Sequence, residues 1–205
     1  RRIVRNKEEY LSYVKAQNNR TNVYTSVYDF AEFAEKAKID SSVILDRIFL
    51  DFDAHGESIL DAWRDVKIVM RYVLERDYQY TLFFSGRGFH LFIFGEVTDT
   101  IRNIQVFFRE IKAYLISQVA QHLGGDITLD DRVGQATRLR RIPNTVNMSS
   151  RDENGNPYFC IPLLEEDLQL TEKKVKLVKP SWYENKWLYF GYGATLGVSV
   201  TLLIN

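Results

Sequence analysis

The sequence predicts an α+β fold built on an antiparallel sheet, and three observations carry that prediction. From residue 47 onward the apolar pattern runs strand, helix, strand, strand, helix, strand, the split βαβ order of ferredoxin-like and RNA-recognition-motif sheets. RIFLDFD (47–53) and FHLFIF (89–94) are its two most apolar strands, and in that order they are central, antiparallel neighbours. The composition supplies a core: 45% of the 205 residues are hydrophobic and 14% aromatic, too apolar for a disordered chain. A βαββαβ core is therefore expected over 46–170, with an additional N-terminal α/β lobe over 1–45 and a C-terminal segment, 171–205, returning to the core with a strand.

Each element has its own signal. Asn6 is placed to cap a helix running to about Ala16, because its side chain can accept from a free first-turn N–H. NVYTSVY (22–28) reads as a strand and DFAEFAEKAK (29–38) as a helix. From Glu57 to about Arg76, Trp63, Val66, Ile68, Val69, Tyr72 and Val73 recur at helical spacing. YQYTLFF (78–84) and FHLFIF are strands joined by Ser85-Gly86-Arg87-Gly88, whose glycines permit positive φ in a tight turn. Thr100 to about Leu123 is a second long helix, stopped by Gly124-Gly125. DITLDD, TRLRRIP, NTVNM, a turn at RDENGNP and YFCIPL follow. Near the end, Trp187 to Ile204 carries no charge over eighteen residues, the length of a weak membrane span. Leu196, Val198, Val200 and Leu202 nevertheless alternate with Thr195, Gly197, Ser199 and Thr201, and period two favours a strand.

Charge and cysteine content narrow the function. Lys+Arg and Asp+Glu balance at 27 each, so no global basic field marks a nucleic-acid binder and any such binding needs a local patch. One cysteine, Cys160, excludes an internal disulfide framework and a cysteine-rich zinc site. A reducing cytoplasm is the expected compartment. RRIVRNKEEY has no apolar signal-peptide core. Arg1 is not an obvious natural start, so the chain is read as an excised piece of a longer one.

The chemistry-bearing residues gather around two strands. Asp51 and Asp53 lie two apart and share a strand face, with Phe52 opposite. His90, Phe92 and Phe94 share a face of the next central strand. If helices cover the Phe52 face, the aspartates and His90 meet on an open face. DITLDD offers a third acid. A fourth strand antiparallel to the first must begin near the aspartate pair, which puts the acid after ITL at the wrong end. TRLRRI or its flank is therefore expected to be the pairing strand. Three aspartates without cysteine suit Mg²⁺ or Mn²⁺. SGRGFH presents backbone N–H groups, Ser85, Arg87, Gly88 and His90 to phosphate oxygens. RLRRIPNTVN clusters Arg138, Arg140 and Arg141 ahead of Asn144 and Asn147; one strand face of it could bind triphosphate or template phosphates. His55 and His122 are read as non-functional, and Cys160 as core.

FLDFDAH, FSGRGFHLFIF and LDDRVGQATRLRRIPNTVN, in this order, resemble the archaeo-eukaryotic primase superfamily, in style closest to its archaeal plasmid and viral primase-polymerases. The resemblance covers about Ile48 to Leu163. It implies that Asp51, Asp53 and Asp130 are the catalytic metal ligands of a two-ion Mg²⁺ or Mn²⁺ site, with Asp130 preferred to Asp131 by its spacing to Val133. It implies that Ser85, Arg87, Gly88, His90, Arg138 and Arg141 contact the incoming triphosphate, and that Arg140, Asn144 and Asn147 face nucleic acid. Implied partners are a DNA template and primer and nucleoside triphosphates, with a helicase or large primase subunit as further candidates. The implied activity is primer synthesis or extension in DNA replication. No zinc is expected, since the family's usual zinc-binding insertion has no cysteines here. Two other functions fit parts of the pattern. A haloacid-dehalogenase-like phosphatase would use Asp51, Asp53, Ser85 and Asp130 or Asp131, but gives no role to His90 or the arginines. A non-catalytic primase-fold subunit would bind nucleic acid alone.

Overall fold

A computed structural model describes residues 2–4, 6–31, 42–53, 59–98, 100–122, 126–132, 135, 137–169 and 200–203. Its elements are β1 (Arg2–Val4), α1 (Lys7–Gln17), β2 (Tyr24–Ser26), β3 (Asp29–Phe30), β4 (Val43–Asp53), α2 (Ile59–Glu75), β5 (Tyr80–Phe84), β6 (Gly88–Thr98), α3 (Ile101–His122), β7 (Leu139–Arg141), β8 (Val146–Arg151), β9 (Pro157–Phe159), β10 (Ile161–Leu163) and β11 (Val200–Leu203). Two antiparallel sheets and a hairpin result: β10-β5-β6-β4-β3, β1-β11-β2-β7, and β8-β9. The fold is thus mixed α+β with antiparallel sheets.

The larger sheet is organised by its apolar alternation. Ile48, Leu50 and Phe52 of β4 and Phe89, Leu91 and Ile93 of β6 are all at most 2% exposed. They form one core with Ala62, Trp63, Val66, Val69 and Val73 of α2 and Ile111 and Leu115 of α3. Trp63 lies on Phe89 with ring centroids 5.1 Å apart. Both long helices therefore lie on the Phe52 side of the sheet, as the sequence pattern requires. Asn6 caps α1, its Oδ1 accepting from Glu9 N at 2.8 Å.

Several expectations are corrected. Asp29 and Phe30 form a strand against Val43 and Ile44, not the start of a helix; 32–40 lie outside the described residues, as do His55 and most of 171–205. TRLRRI does not pair with β4: its strand, β7, pairs with β2 in the smaller sheet. The fourth strand beside β4 is reduced to one bridge, Phe52 to Leu129, so a full βαββαβ run of strands is not formed. YFCIPL divides at Cys160 into β9 and β10, which join different sheets. The sheet face opposite the helices is not open. Phe49 and Phe92 are 2% and 3% exposed, with the Arg138 guanidinium 5.4 Å from the Phe49 ring and that of Arg140 4.9 Å from Phe92. The site is a partly roofed groove. Among the described residues, no helix is long and apolar enough to cross a membrane.

One glycine marks how tightly the central strands close. A Cβ on Gly88 would lie 2.0 Å from the Phe52 carbonyl oxygen, whereas one on Gly95, further along β6, meets nothing within 4 Å. Gly88→Ala is expected to cost about 2 kcal/mol or more in a denaturant titration, through forced backbone displacement. Gly95→Ala is expected to stay within about 0.5 kcal/mol of wild type. Equal effects would contradict the close approach.

Candidate active site

Strand register places the central groups. Across the larger sheet Asp51 stands opposite His90, His90 opposite Phe83, and Asp53 opposite Gly88. Asp51 Oδ1 and His90 Nε2 are 3.6 Å apart. The expected convergence of the aspartates and the histidine on one face is therefore present. His90 is buried, edge-on to Phe49 at 5.2 Å. Burial, followed by the charges of Arg140, Arg141 and Arg138, pushes its imidazole down to about 3. At neutral pH it is uncharged and can both donate and accept a hydrogen bond.

The third acid arrives by a route the sequence argument missed. Thr128 O accepts from Asp53 N at 3.1 Å, and Asp130 N donates to Asp51 O at 2.8 Å. The segment thus starts to pair at Thr128 rather than at Ile127 or before, and Asp130 lies beside Asp51. ITL followed by an acid is at the wrong end only if ITL is a full strand. Asp131 points elsewhere: it is exposed and paired with Lys112 at 2.5 Å. Asp130, not Asp131, belongs to the cluster.

Arginines neutralise the carboxylates. One nitrogen, Arg138 Nη2, donates to Asp51 Oδ2 at 2.8 Å and to Asp130 Oδ2 at 2.9 Å. Arg138 Nη1 is held by Arg132 O at 2.9 Å. Arg132 closes back on Asp130, from its backbone N at 2.9 Å and from Nη2 at 2.9 Å. Arg87 forms a fork on Asp53, Nε to Oδ1 at 2.9 Å and Nη2 to Oδ2. The consequences differ by residue. Burial pushes Asp51 up to about 6; Arg138 opposes this, while Asp53 and Asp130 add to it. Burial also works against Asp130, but hydrogen bonds from Arg132 and Arg138 outweigh it and hold its carboxyl well below the usual range.

The glycine turn is braced from beneath. Ser85 N donates to Gly88 O at 2.8 Å, and Gly88 N to Ser85 Oγ at 3.1 Å. Gly86 has φ +94, and a Cβ there would press on the Asn147 side chain at 2.8 Å. Asn147 Nδ2 donates to Ser85 O at 3.0 Å, and Ser150 Oγ to Gly86 O at 2.7 Å. Asn147, 4% exposed, thus supports the turn.

The other candidates separate clearly. Arg138 is in the carboxylate cluster. Arg140 is half-buried, its guanidinium over Phe92 and Phe83, and its buried Nε and Nη1 have no hydrogen-bond partner. Arg141 turns away, donating to Asn22 Oδ1 at 2.7 Å, Tyr24 Oη at 3.1 Å and Val146 O at 3.3 Å. Asn144 occupies a positive-φ turn, its N donating to Cys160 O at 2.7 Å. Cys160 is buried, and burial pushes its thiol up to about 12. Asp65, absent from the sequence candidates, is fully buried and accepts from Thr128 N at 2.7 Å and Thr128 Oγ1 at 2.9 Å. A carboxylate on the apolar stripe between Ala62 and Val69 was the available signal.

Among the described residues, no three His, Cys, Asp or Glu side chains are arranged as a ready metal cluster. The arginines hold the acids in ion pairs instead. The donor chemistry still fits a hard cation: Asp51 and Asp130 already present carboxylate oxygens to one shared cationic nitrogen, and carboxylate oxygen is the ligand type such an ion takes.

No family model and no curated protein matches the chain by sequence. Its fold is similar to a solved structure described as the polymerase domain from Mycobacterium tuberculosis Ligase D in complex with DNA, with TM-score 0.54 and 14% identity, over 73% of this chain and 55% of that one. The chain thus spans about half the length of that neighbour, and at this identity the likeness is one of fold.

Asp51 gives a signed pH prediction. Its folded value, about 6, is raised from 3.8, so protonation stabilises the fold and that contribution is lost as pH rises through 6. Asn mimics the protonated form. Asp51→Asn is expected to exceed wild type by about 3 kcal/mol at pH 8, with the gap closing as pH falls from 6 to 4. Thermal melts in chelator check this; a pH-independent gap or a less stable variant would contradict it.

Proposed function

We propose that the chain is a metal-dependent, template-directed nucleotidyltransferase, the catalytic domain of a DNA primase or primase-polymerase of the archaeo-eukaryotic primase kind. The observation that carries this reading is the meeting of Asp51 and Asp130 on one cationic nitrogen beside a neutral His90, next to a braced Ser-Gly-Arg-Gly turn. The polymerase-like fold supports it.

Asp51, Asp53 and Asp130 would hold Mg²⁺ or Mn²⁺. Bound there, such ions supply activation of a primer 3′-hydroxyl and charge stabilisation of the leaving pyrophosphate. The remaining work falls to the chain. Arg138 withdraws from one or both carboxylates and turns its guanidinium toward the triphosphate. Arg87, 55% exposed on its side chain, is free to exchange Asp53 for a phosphate oxygen. His90, kept neutral, hydrogen-bonds the triphosphate without charge repulsion from the arginines. Ser85 and the Gly88 backbone shape the turn against which the phosphates lie. The charge of Arg140, over Phe83 and Phe92, adds to the field that favours an anion. Arg141, Asn144 and Asn147 act through structure, bracing the strand and the turn. DNA template, primer and nucleoside triphosphates are the proposed partners.

The phosphatase alternative assigns nothing to His90 or the arginines, which the fold gathers around the acids, and it is disfavoured. Asp51→Ala/Asp53→Ala is expected to reduce template-directed incorporation, with Mg²⁺ or Mn²⁺, to background while retaining the circular dichroism of wild type. Normal synthesis by that variant would contradict the assignment, and template binding without incorporation by wild type would favour a binding subunit. His90→Ala is expected to raise the nucleotide KM about tenfold, the loss of one hydrogen bond to a charged partner; an unchanged KM would remove His90 from the triphosphate site.

A further inference from the structure

The three acids are not equally well anchored. Asp51 and Asp53 belong to β4, an eleven-residue strand paired with β6 along most of its length, through Asp53. Asp130 belongs to a segment with a single bridge to β4. Arg132 and Arg138 neutralise the Asp130 carboxylate, but its backbone meets β4 only over this short stretch, and a further restraint acts on the segment.

That restraint comes from α2. Asp65 is 0% exposed, on the stripe that carries Ala62, Val66 and Val69 into the core. A buried carboxylate is retained only when its lone pairs are satisfied. Asp65 Oδ2 accepts both the backbone N–H and the hydroxyl of Thr128, at 2.7 and 2.9 Å. Asp65 Oδ1 accepts from Arg64 Nε at 2.8 Å. Arg64 Nη2 in turn donates to Asp126 O at 3.1 Å. Helix and segment are therefore tied at two points, and Thr128 passes the constraint on: its carbonyl accepts from Asp53 N, two residues before Asp130 N reaches Asp51 O.

We propose that Asp65 is a positioning residue for the catalytic centre: by clamping Thr128 it sets where Asp130 stands opposite Asp51, and so the cation affinity of the site. This rests on the cation-binding role proposed for the acids. Groups that hydrogen-bond metal ligands typically alter affinity about 10–100-fold when changed; Asp65 acts one step further out, through Thr128, so the low end of that range is expected.

The test measures Mn²⁺ binding to the full chain by electron paramagnetic resonance, without nucleotide. Asp65→Asn and Thr128→Val are both expected to weaken Mn²⁺ binding about tenfold, and Thr128→Ser to restore it. In an Asp130→Ala background, Asp65→Asn is expected to cause no further loss, which a general loss of stability would not reproduce. Wild-type affinity in Asp65→Asn and Thr128→Val, or an equal loss with and without Asp130, would overturn the clamp while leaving the cation site standing. If wild type itself takes up no Mn²⁺, the cation site falls and the clamp's role falls with it. If Asp65→Asn fails to fold, Thr128→Val and Thr128→Ser alone decide the outcome.

Discussion

Three carboxylates that lie within mutual reach cannot all stay ionised in a half-buried groove unless positive charge lies among them. This constraint organises the structure around Asp51, Asp53 and Asp130. Arg138 sits between two of the acids, Arg132 wraps Asp130, and Arg87 forks onto Asp53. The compensation is uneven. Asp130, with two guanidinium partners, is held firmly ionised, whereas burial lifts Asp51, served by one shared nitrogen, to about 6. The least comfortable carboxylate is the one beside His90.

Shape and charge act together. The antiparallel register of β4 and β6 places Asp51 beside His90, and Gly88 lets the strands approach where a side chain would strike the Phe52 carbonyl. The smaller sheet brings Arg138 and Arg140 over Phe49 and Phe92, roofing the groove and keeping His90 neutral. A neutral imidazole flanked by guanidinium groups suits recognition of an anion better than acid-base chemistry at neutral pH.

Much of this was legible before the structure. The parity of Asp51, Asp53 and His90 along two apolar strands follows from period two, and their adjacency follows from the strand-helix-strand-strand order. What escaped depended on contacts distant in sequence. Asp130 was misplaced because a strand-like sequence, DITL, makes only one bridge. Arg141 turns toward Asn22, 119 residues away, and Asn147 toward Ser85, 62 residues away, so no local pattern could show that they face inward. The groove's roof was unreadable because β7 pairs with β2 rather than β4. Asp65 did leave a trace, a charge on a helix's buried stripe, which needed a partner before it could be interpreted.

The most direct test of the account is a crystal structure of the protein grown with Mn²⁺ and a non-hydrolysable nucleoside triphosphate. The account predicts an ion bound between Asp51 and Asp130, with Arg138 swung off the carboxylates onto the phosphates. Arg138 still bridging Asp51 and Asp130, with the metal and nucleotide elsewhere, would contradict it.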